Sequence, residues 1–164
     1  MARKVFFSFH YESDINRAMI VRNSGVLRGF EQAGFIDKAD FEKVKLRGQN
    51  AVENWIDDQL HGTSVTVVLI GNETLSREYV QYEIRKSIDK GNGIIGVKIH
   101  NLTDMITRHV SQPGNVQTVI GSWKSNNALI YFDDIADGIY DYVNENGYQN
   151  LGAWVETAAR NKGR

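Results

Sequence analysis

Glu83 is the ionisable side chain whose neighbours give it a chemical use. It lies in Ser76-Arg77-Glu78-Tyr79-Val80-Gln81-Tyr82-Glu83-Ile84, one turn from Val80 and beside Ile84, on the border of an apolar helical stripe. It is also within two turns of that helix's start, which in a parallel α/β layer stands at the ligand edge of the sheet. A carboxylate so placed faces both a pocket and partial burial. The other reading of the position is a solvated glutamate, favoured near a helix N-terminus. Glu78, one turn earlier, is expected on a different face of the helix.

Three further stretches fall where such a sheet binds its ligands: residues 8–14 after the first strand, residues 71–76 after the third, and His100-Asn101 after the fourth. Their composition excludes several chemistries. A phosphate-receiving regulator needs an aspartate at the end of the third strand, where this chain has Ile70-Gly71-Asn72. A flavin needs a small, hydroxyl-rich cradle after the first strand, and Phe9-His10-Tyr11-Glu12 is bulky and acidic. There is no Gly-x-Gly-x-x-Gly and no Gly-x-x-x-x-Gly-Lys. The histidines at 10, 61, 100 and 109 lack metal-ligand spacing, so no metal is expected. No Gly-x-Ser-x-Gly elbow is present. Arg22-Asn23-Ser24 is the second oddity: these residues either cap a helix that starts later or point into a pocket.

The elements that must position these residues are legible as periodicity. Val5-Phe6-Phe7-Ser8-Phe9 is a near-continuous apolar run, as in a strand buried on both faces. A polar stretch to Asn16 leads into a helix running to about Gln32, with Met19, Val26, Leu27 and Phe30 inward and Gly34 as its stop. Phe35-Ile36 reads as a short second strand, and residues 37–47 as charged and irregular. Val52, Trp55, Ile56 and Leu60 have helical spacing. Residues 64–70 form the clearest strand, rich in β-branched residues. Ser76 is the expected N-cap of a helix with Val80, Ile84 and Ile88 inward, ended by Gly91-Asn92-Gly93. Residues 94–99 are a further strand. Residues 102–127 are long and poorly patterned, which marks functional or mobile connections. Residues 128–132 read as the last strand, followed by a helix with Ile135, Ile139, Tyr142 and Val143 inward. A final helix carries Leu151, Trp154, Val155 and Ala158.

This alternation predicts an α/β fold: one doubly wound, flavodoxin-like open parallel sheet flanked by helices, with an extra C-terminal helix. Residues 5–9 are expected inside the sheet, beside residues 65–70. The 164 residues favour one domain. With 41% hydrophobic and 24% charged residues, the composition is that of an ordinary globular chain. A net charge of −1 supplies no bulk attraction to nucleic acid or an anionic membrane, and the apolar runs are strand-sized. The absence of cysteine is compatible with a reducing cytoplasm.

The serine at 76, the aromatic three residues later and the glutamate seven later resemble the signature of TIR domains, with Tyr79 where tryptophan is usual. Further matches are Val5-Phe6-Phe7-Ser8-Phe9-His10-Tyr11, Val21-Arg22-Asn23, Ser64-Val65-Thr66-Val67-Val68-Leu69-Ile70-Gly71, and Tyr82-Glu83-Ile84-Arg85-Lys86-Ser87-Ile88 with Lys90-Gly91-Asn92. Together they resemble the bacterial TIR-like family that includes the TIR protein of Thoeris anti-phage defence. The resemblance implies cleavage of the nicotinamide–ribose bond of NAD⁺, a substrate rather than a cofactor. It also implies a cyclic ADP-ribose isomer that acts on a separate effector protein. It implies that Glu83 is catalytic, stabilising an oxocarbenium-like ribose. As substrate-binding residues it implies Ser8, Phe9, His10, Tyr11, Arg22, Asn23, Asn72, Ser76 and Tyr79. Phe9, Tyr11 and Tyr79 would stack on a ring, and His10 would contact phosphate or ribose.

Residues 37–47, where a TIR domain carries its BB loop, show no signature of that loop. Self-association is expected from the family's composite sites. Three alternatives stay open at this level: hydrolysis to linear ADP-ribose, transfer of ADP-ribose to an acceptor, and a protein–protein signalling module without activity.

Overall fold

The computed structural model describes residues 3–24, 28–35 and 38–164. Strand β1 (Arg3–Phe9) is followed by α1 (Tyr11–Asn23), β2 (Phe30–Ala33), α2 (Lys38–Leu46), α3 (Gln49–Leu60) and β3 (Val65–Ile70). A 3₁₀ turn (Thr74–Ser76) precedes α4 (Glu78–Lys90) and β4 (Gly93–Lys98). Then come β5 (Val119–Ser122), β6 (Leu129–Tyr131), the single turn α5 (Phe132–Ile135), β7 (Gly138–Asp141) and α6 (Gly147–Asn161).

Five strands form one parallel sheet in the order β2-β1-β3-β4-β7. β1 is interior and pairs with β3 from Val5↔Val65 to Phe9↔Leu69, as its two-sided apolar run requires. One face packs Val5, Phe7, Val67 and Val97 against Leu151 and Val155 of α6. The other packs Phe6 against Val52 and Ile56 of α3, and Val68 and Ile70 against Val80 and Ile84 of α4. Strand order reverses between β1 and β3, so the crevice at their carboxyl ends is where such a sheet holds ligands. Among the described residues no helix is long and apolar enough to cross a membrane.

Several elements differ from the sequence reading. The first helix starts at Tyr11, not near Asn16, and ends at Asn23. Its inner face carries Asp14 and Arg17 with Ala18 and Val21. An ion pair in place of two apolar residues is what hid its phase. Phe30 and Gln32 belong to β2, not to that helix, and the expected strand at 35–36 is displaced to Phe30–Ala33. Val26, Leu27 and Ile36 lie outside the described residues. Residues within 37–47 are not irregular but contain the nine-residue helix α2. Residues 129–131 pair antiparallel with β5 in a separate two-stranded sheet. The fifth parallel strand is β7, which the sequence reading placed in a helix. Ile135, Ile139, Tyr142 and Val143 have helical spacing, but hydrogen bonding to β4 overrides it. Asp137 bonds Ile94 through both its backbone N–H and its carboxylate and starts that pairing.

Gly34 makes the tight exit from β2. Its φ is +91°, and a Cβ there would lie 2.3 Å from the Phe7 carbonyl oxygen. Gly29 has φ +86° but open space around it. Gly34→Ala is therefore expected to cost more than the ~1–3 kcal/mol of a strained backbone dihedral, and Gly29→Ala no more than that. Urea unfolding midpoints check this. Equal losses at the two positions would show that the Phe7 contact relaxes freely.

Candidate functional site

Glu83 sits in the second turn of α4, with its side chain against the carboxyl end of β1. The residue is 8% exposed, and Ser8 is fully buried behind it. Ser8 Oγ donates a hydrogen bond to Glu83 Oε2. Burial pushes the Glu83 carboxyl up to about 8, with the Ser8 bond acting in the opposite direction. At neutral pH the group therefore keeps its proton unless a cation comes beside it. Ser87 Oγ donates to the Glu83 carbonyl at 2.7 Å and meets Thr66 Oγ1 at 2.6 Å, which ties this turn of α4 to β3.

Glu83 lies in the lining of a cavity of about 310 Å³, near the low end for small-molecule sites. The walls are largely aromatic. Phe9, Tyr11, Phe41, Trp55 and Tyr79 all contribute, with ring centroids 6.1 Å apart for Phe9–Tyr11, 4.9 Å for Tyr11–Phe41 and 6.2 Å for Phe41–Trp55. Charged groups gather at the rim: Glu12, Lys45, Arg77 and Glu78. Lys45 is held by Glu12 and Glu42, each at 3.1 Å. Arg77 is exposed at the N-cap of α4 and makes no ion pair among the described residues. Its charge acts on His10 and Glu12. A guanidinium beside a helix N-terminus favours an anion there.

The predicted site residues divide by position. Phe9, His10, Tyr11, Ser76, Tyr79 and Glu83 line the cavity. Ser8 reaches it through Glu83. Asn72 is exposed and outside the lining, because its loop turns toward Gly114, where a Cβ would meet the Gly71 and Asn72 carbonyls. Arg22 and Asn23 are likewise exposed and outside it. They occupy the last turn of α1, whose buried positions are Tyr11, Asp14, Arg17, Ala18 and Val21. The Arg22 guanidinium lies 5.4 Å from the Phe35 ring centroid. Neither residue is a cap for a later helix. Ser76 does not cap α4: it is the last residue of the 3₁₀ turn, its hydroxyl donates to the Glu73 carbonyl at 2.8 Å, and Arg77 takes the cap position. Glu83 is buried in the lining rather than partly exposed at an edge. Glu78 lines the same cavity and is not on an unrelated face.

Sequence reasoning missed Arg77, Lys45 and Phe41, and took Trp55 for core alone. Phe41 and Lys45 are four residues apart on α2 and share a helical face. A helical reading of the segment would have brought them together.

The family model for the TIR-like domain of the Thoeris protein ThsB matches residues 6–104. That span runs from β1 through the end of β4 and includes every cavity-lining residue. A protein of Bacillus cereus (strain MSX-D12), named "Putative cyclic ADP-D-ribose synthase ThsB1", is 31% identical over 191 aligned positions. The alignment covers 94% of this chain and 100% of that protein.

Proposed function

This chain belongs to the TIR-like domain family of the Thoeris protein ThsB, and from that membership we propose that it cleaves the nicotinamide–ribose bond of NAD⁺ and closes the ADP-ribose into a cyclic isomer. The observation that carries the proposal is Glu83: a buried carboxyl, hydrogen-bonded to Ser8, within an aromatic cavity that has a cation at its rim.

The chemistry follows from that arrangement. Nicotinamide in NAD⁺ is a cationic pyridinium ring, and the walls formed by Phe9, Tyr11 and Trp55 suit its flat, weakly hydrated surface. A cation entering the cavity favours the ionised form of Glu83, so substrate binding itself would draw the carboxyl toward carboxylate. As the glycosidic bond lengthens, positive charge moves from the ring to the ribose carbon. A carboxylate in a low-dielectric wall stabilises that charge more strongly than water does. Nicotinamide then leaves neutral and needs no strong acid. Arg77 at the α4 N-terminus would hold the pyrophosphate. Exclusion of water by the aromatic walls favours attack by a nucleophile of the substrate itself over hydrolysis. The cyclic product would serve as a messenger to a separate effector protein in the cytoplasm, and self-association would complete the site.

Purified protein incubated at high concentration with NAD⁺ tests this. Nicotinamide release, with a product one water lighter than ADP-ribose by mass, is the expected result. Linear ADP-ribose alone would establish a hydrolase, and intact NAD⁺ under every trigger a signalling module. Arg77→Gln is expected to raise KM for NAD⁺ by about tenfold, the size of one hydrogen bond to a charged group. KM for nicotinamide riboside, which has no pyrophosphate, should not move. An equal rise for both substrates would remove Arg77 from phosphate binding.

A further inference from the structure

His10 lies two residues beyond Ser8, at the junction of β1 and α1. Side chains two apart on extended chain share a face, so His10 is on the side from which Ser8 meets Glu83. It lines the same cavity and is 8% exposed. Its Nδ1 is 2.6 Å from Ser13 Oγ, and Ser13 Oγ donates to Asp14 Oδ2 at 3.3 Å. The Ser13 hydroxyl has one hydrogen. Given to Asp14, it leaves an oxygen lone pair to accept Nδ1–H, and Nε2 is the bare nitrogen of the ring. Given to Nδ1, it makes Nε2 the N–H, so accepting a proton through Nε2 requires the first arrangement. Nε2 is buried and has no hydrogen-bond partner among the described residues. A buried polar atom without a partner needs an explanation. Here the residue that carries it lines the cavity.

We propose that His10 is the general base of the reaction, taking through Nε2 the proton of the hydroxyl that attacks the nicotinamide ribose. The inference rests on the NAD⁺ reading above and assigns that site a second catalytic residue. The bond from the ribose carbon to nicotinamide breaks, and its electron pair leaves with the neutral ring. The attacking oxygen forms a new bond to the same carbon. Its proton passes to Nε2, and the resulting imidazolium is stabilised by Asp14 through Ser13. The attacking hydroxyl is the substrate's own for a cyclic product and water's for a linear one.

Electrostatics suits the assignment. Burial and the Arg77 charge hold His10 below its ordinary range, against Asp14 and Glu12 on α1 and Glu73 before α4. The imidazole is thus neutral, and able to accept a proton, at neutral pH. The Glu83 carboxyl is displaced in the opposite direction and does not have to serve as the base.

The test is kinetic. His10→Gln is expected to lower kcat by about 10²–10⁴-fold with little change in KM. It should also remove the part of the acid fall of kcat that imidazole protonation causes, leaving the part set by Glu83. Added imidazole should restore part of the turnover of His10→Ala, which a purely structural role would not allow. Near-wild-type kcat in His10→Gln, with Glu83→Gln inactive, would overturn the proposal and leave NAD⁺ cleavage standing. Wild type that leaves NAD⁺ intact would overturn both. If neither histidine variant folds, the ¹⁵N resonances of His10 in wild type decide. A bare Nε2 that shifts with a non-cleavable NAD⁺ analogue supports the base, and a protonated or unmoved Nε2 excludes it.

Discussion

Glu83→Gln is expected to reduce NAD⁺ turnover by about 10²-fold or more, the size of losing one preorganised electrostatic contact. The loss should fall on kcat, because the carboxylate acts more strongly on the charged transition state than on bound substrate. The variant should fold, since glutamine mimics the protonated side chain that Ser8 already accommodates. Stability gives a second and independent signal. The Glu83 carboxyl is pushed from 4.5 to about 8 by burial, so between those values the folded protein binds a proton that the unfolded chain has released. Stability from this group is complete below pH 4.5 and is lost as pH rises through about 8. Glu83→Gln should remove that contribution and flatten the decline of Tm over the same range. Asp89, exposed on the same helix and away from the cavity, is the control, and Asp89→Asn should change neither readout. Full turnover in Glu83→Gln would remove Glu83 from the chemistry. A Tm profile that declines as steeply as wild type would show that the carboxyl is already ionised in the free protein.

Arg17→Leu should produce the largest loss of stability, about 3–5 kcal/mol, by leaving a buried carboxylate without its partner. Arg17 and Asp14 are 5% and 2% exposed, and their charged atoms are 3.3 Å apart. The same guanidinium donates to the Leu102 carbonyl at 2.8 Å and the His109 carbonyl at 2.9 Å. It therefore ties the connection after β4 down onto α1. Asp104 shapes the turn between those two carbonyls, accepting from Ile106 N at 2.8 Å and Thr107 N at 3.0 Å. Faster amide exchange at residues 106–109 should accompany the loss. Adding Asp14→Asn to Arg17→Leu should recover part of the stability, because the second change removes the stranded charge. Urea unfolding checks both variants. A double variant less stable than Arg17→Leu alone would show that Asp14 has other support, from Thr74 and Ser13, and is not a stranded charge.

The connection at residues 102–127 illustrates why pattern alone misjudges such segments. It has no apolar period, and it is ordered by polar bonds to distant residues: Arg17 at one end, and the β5–β6 pairing at the other. Arg85 donates to the Ile120 carbonyl at 2.7 Å and Gln81 to the Val119 carbonyl at 3.3 Å, so α4 holds β5 in place.

What the sequence determined by itself is the set of elements whose burial is strong and regular. β1, β3 and β4 are interior strands of a parallel sheet, covered on both faces, and so appear as continuous apolar runs. α3, α4 and α6 each bury one stripe against the sheet and so show helical periodicity. The helix phase that placed Glu83 beside Val80 and Ile84 is a local property, and the motif resemblance added its chemistry. Tertiary structure alone decided the rest. β7 is an edge strand only partly buried, and it takes its conformation from β4 rather than from its own pattern. α1 buries an ion pair, which only long-range packing makes tolerable. The cavity exists because α2 and α3 bring Phe41, Lys45 and Trp55 over the end of β1, residues that no sequence spacing joins to Glu83. The proton affinity of Glu83 and the burial of His10 Nε2 without a partner among the described residues are likewise products of that enclosure. Solvation depends on what the whole chain places around a group, and local periodicity does not record it.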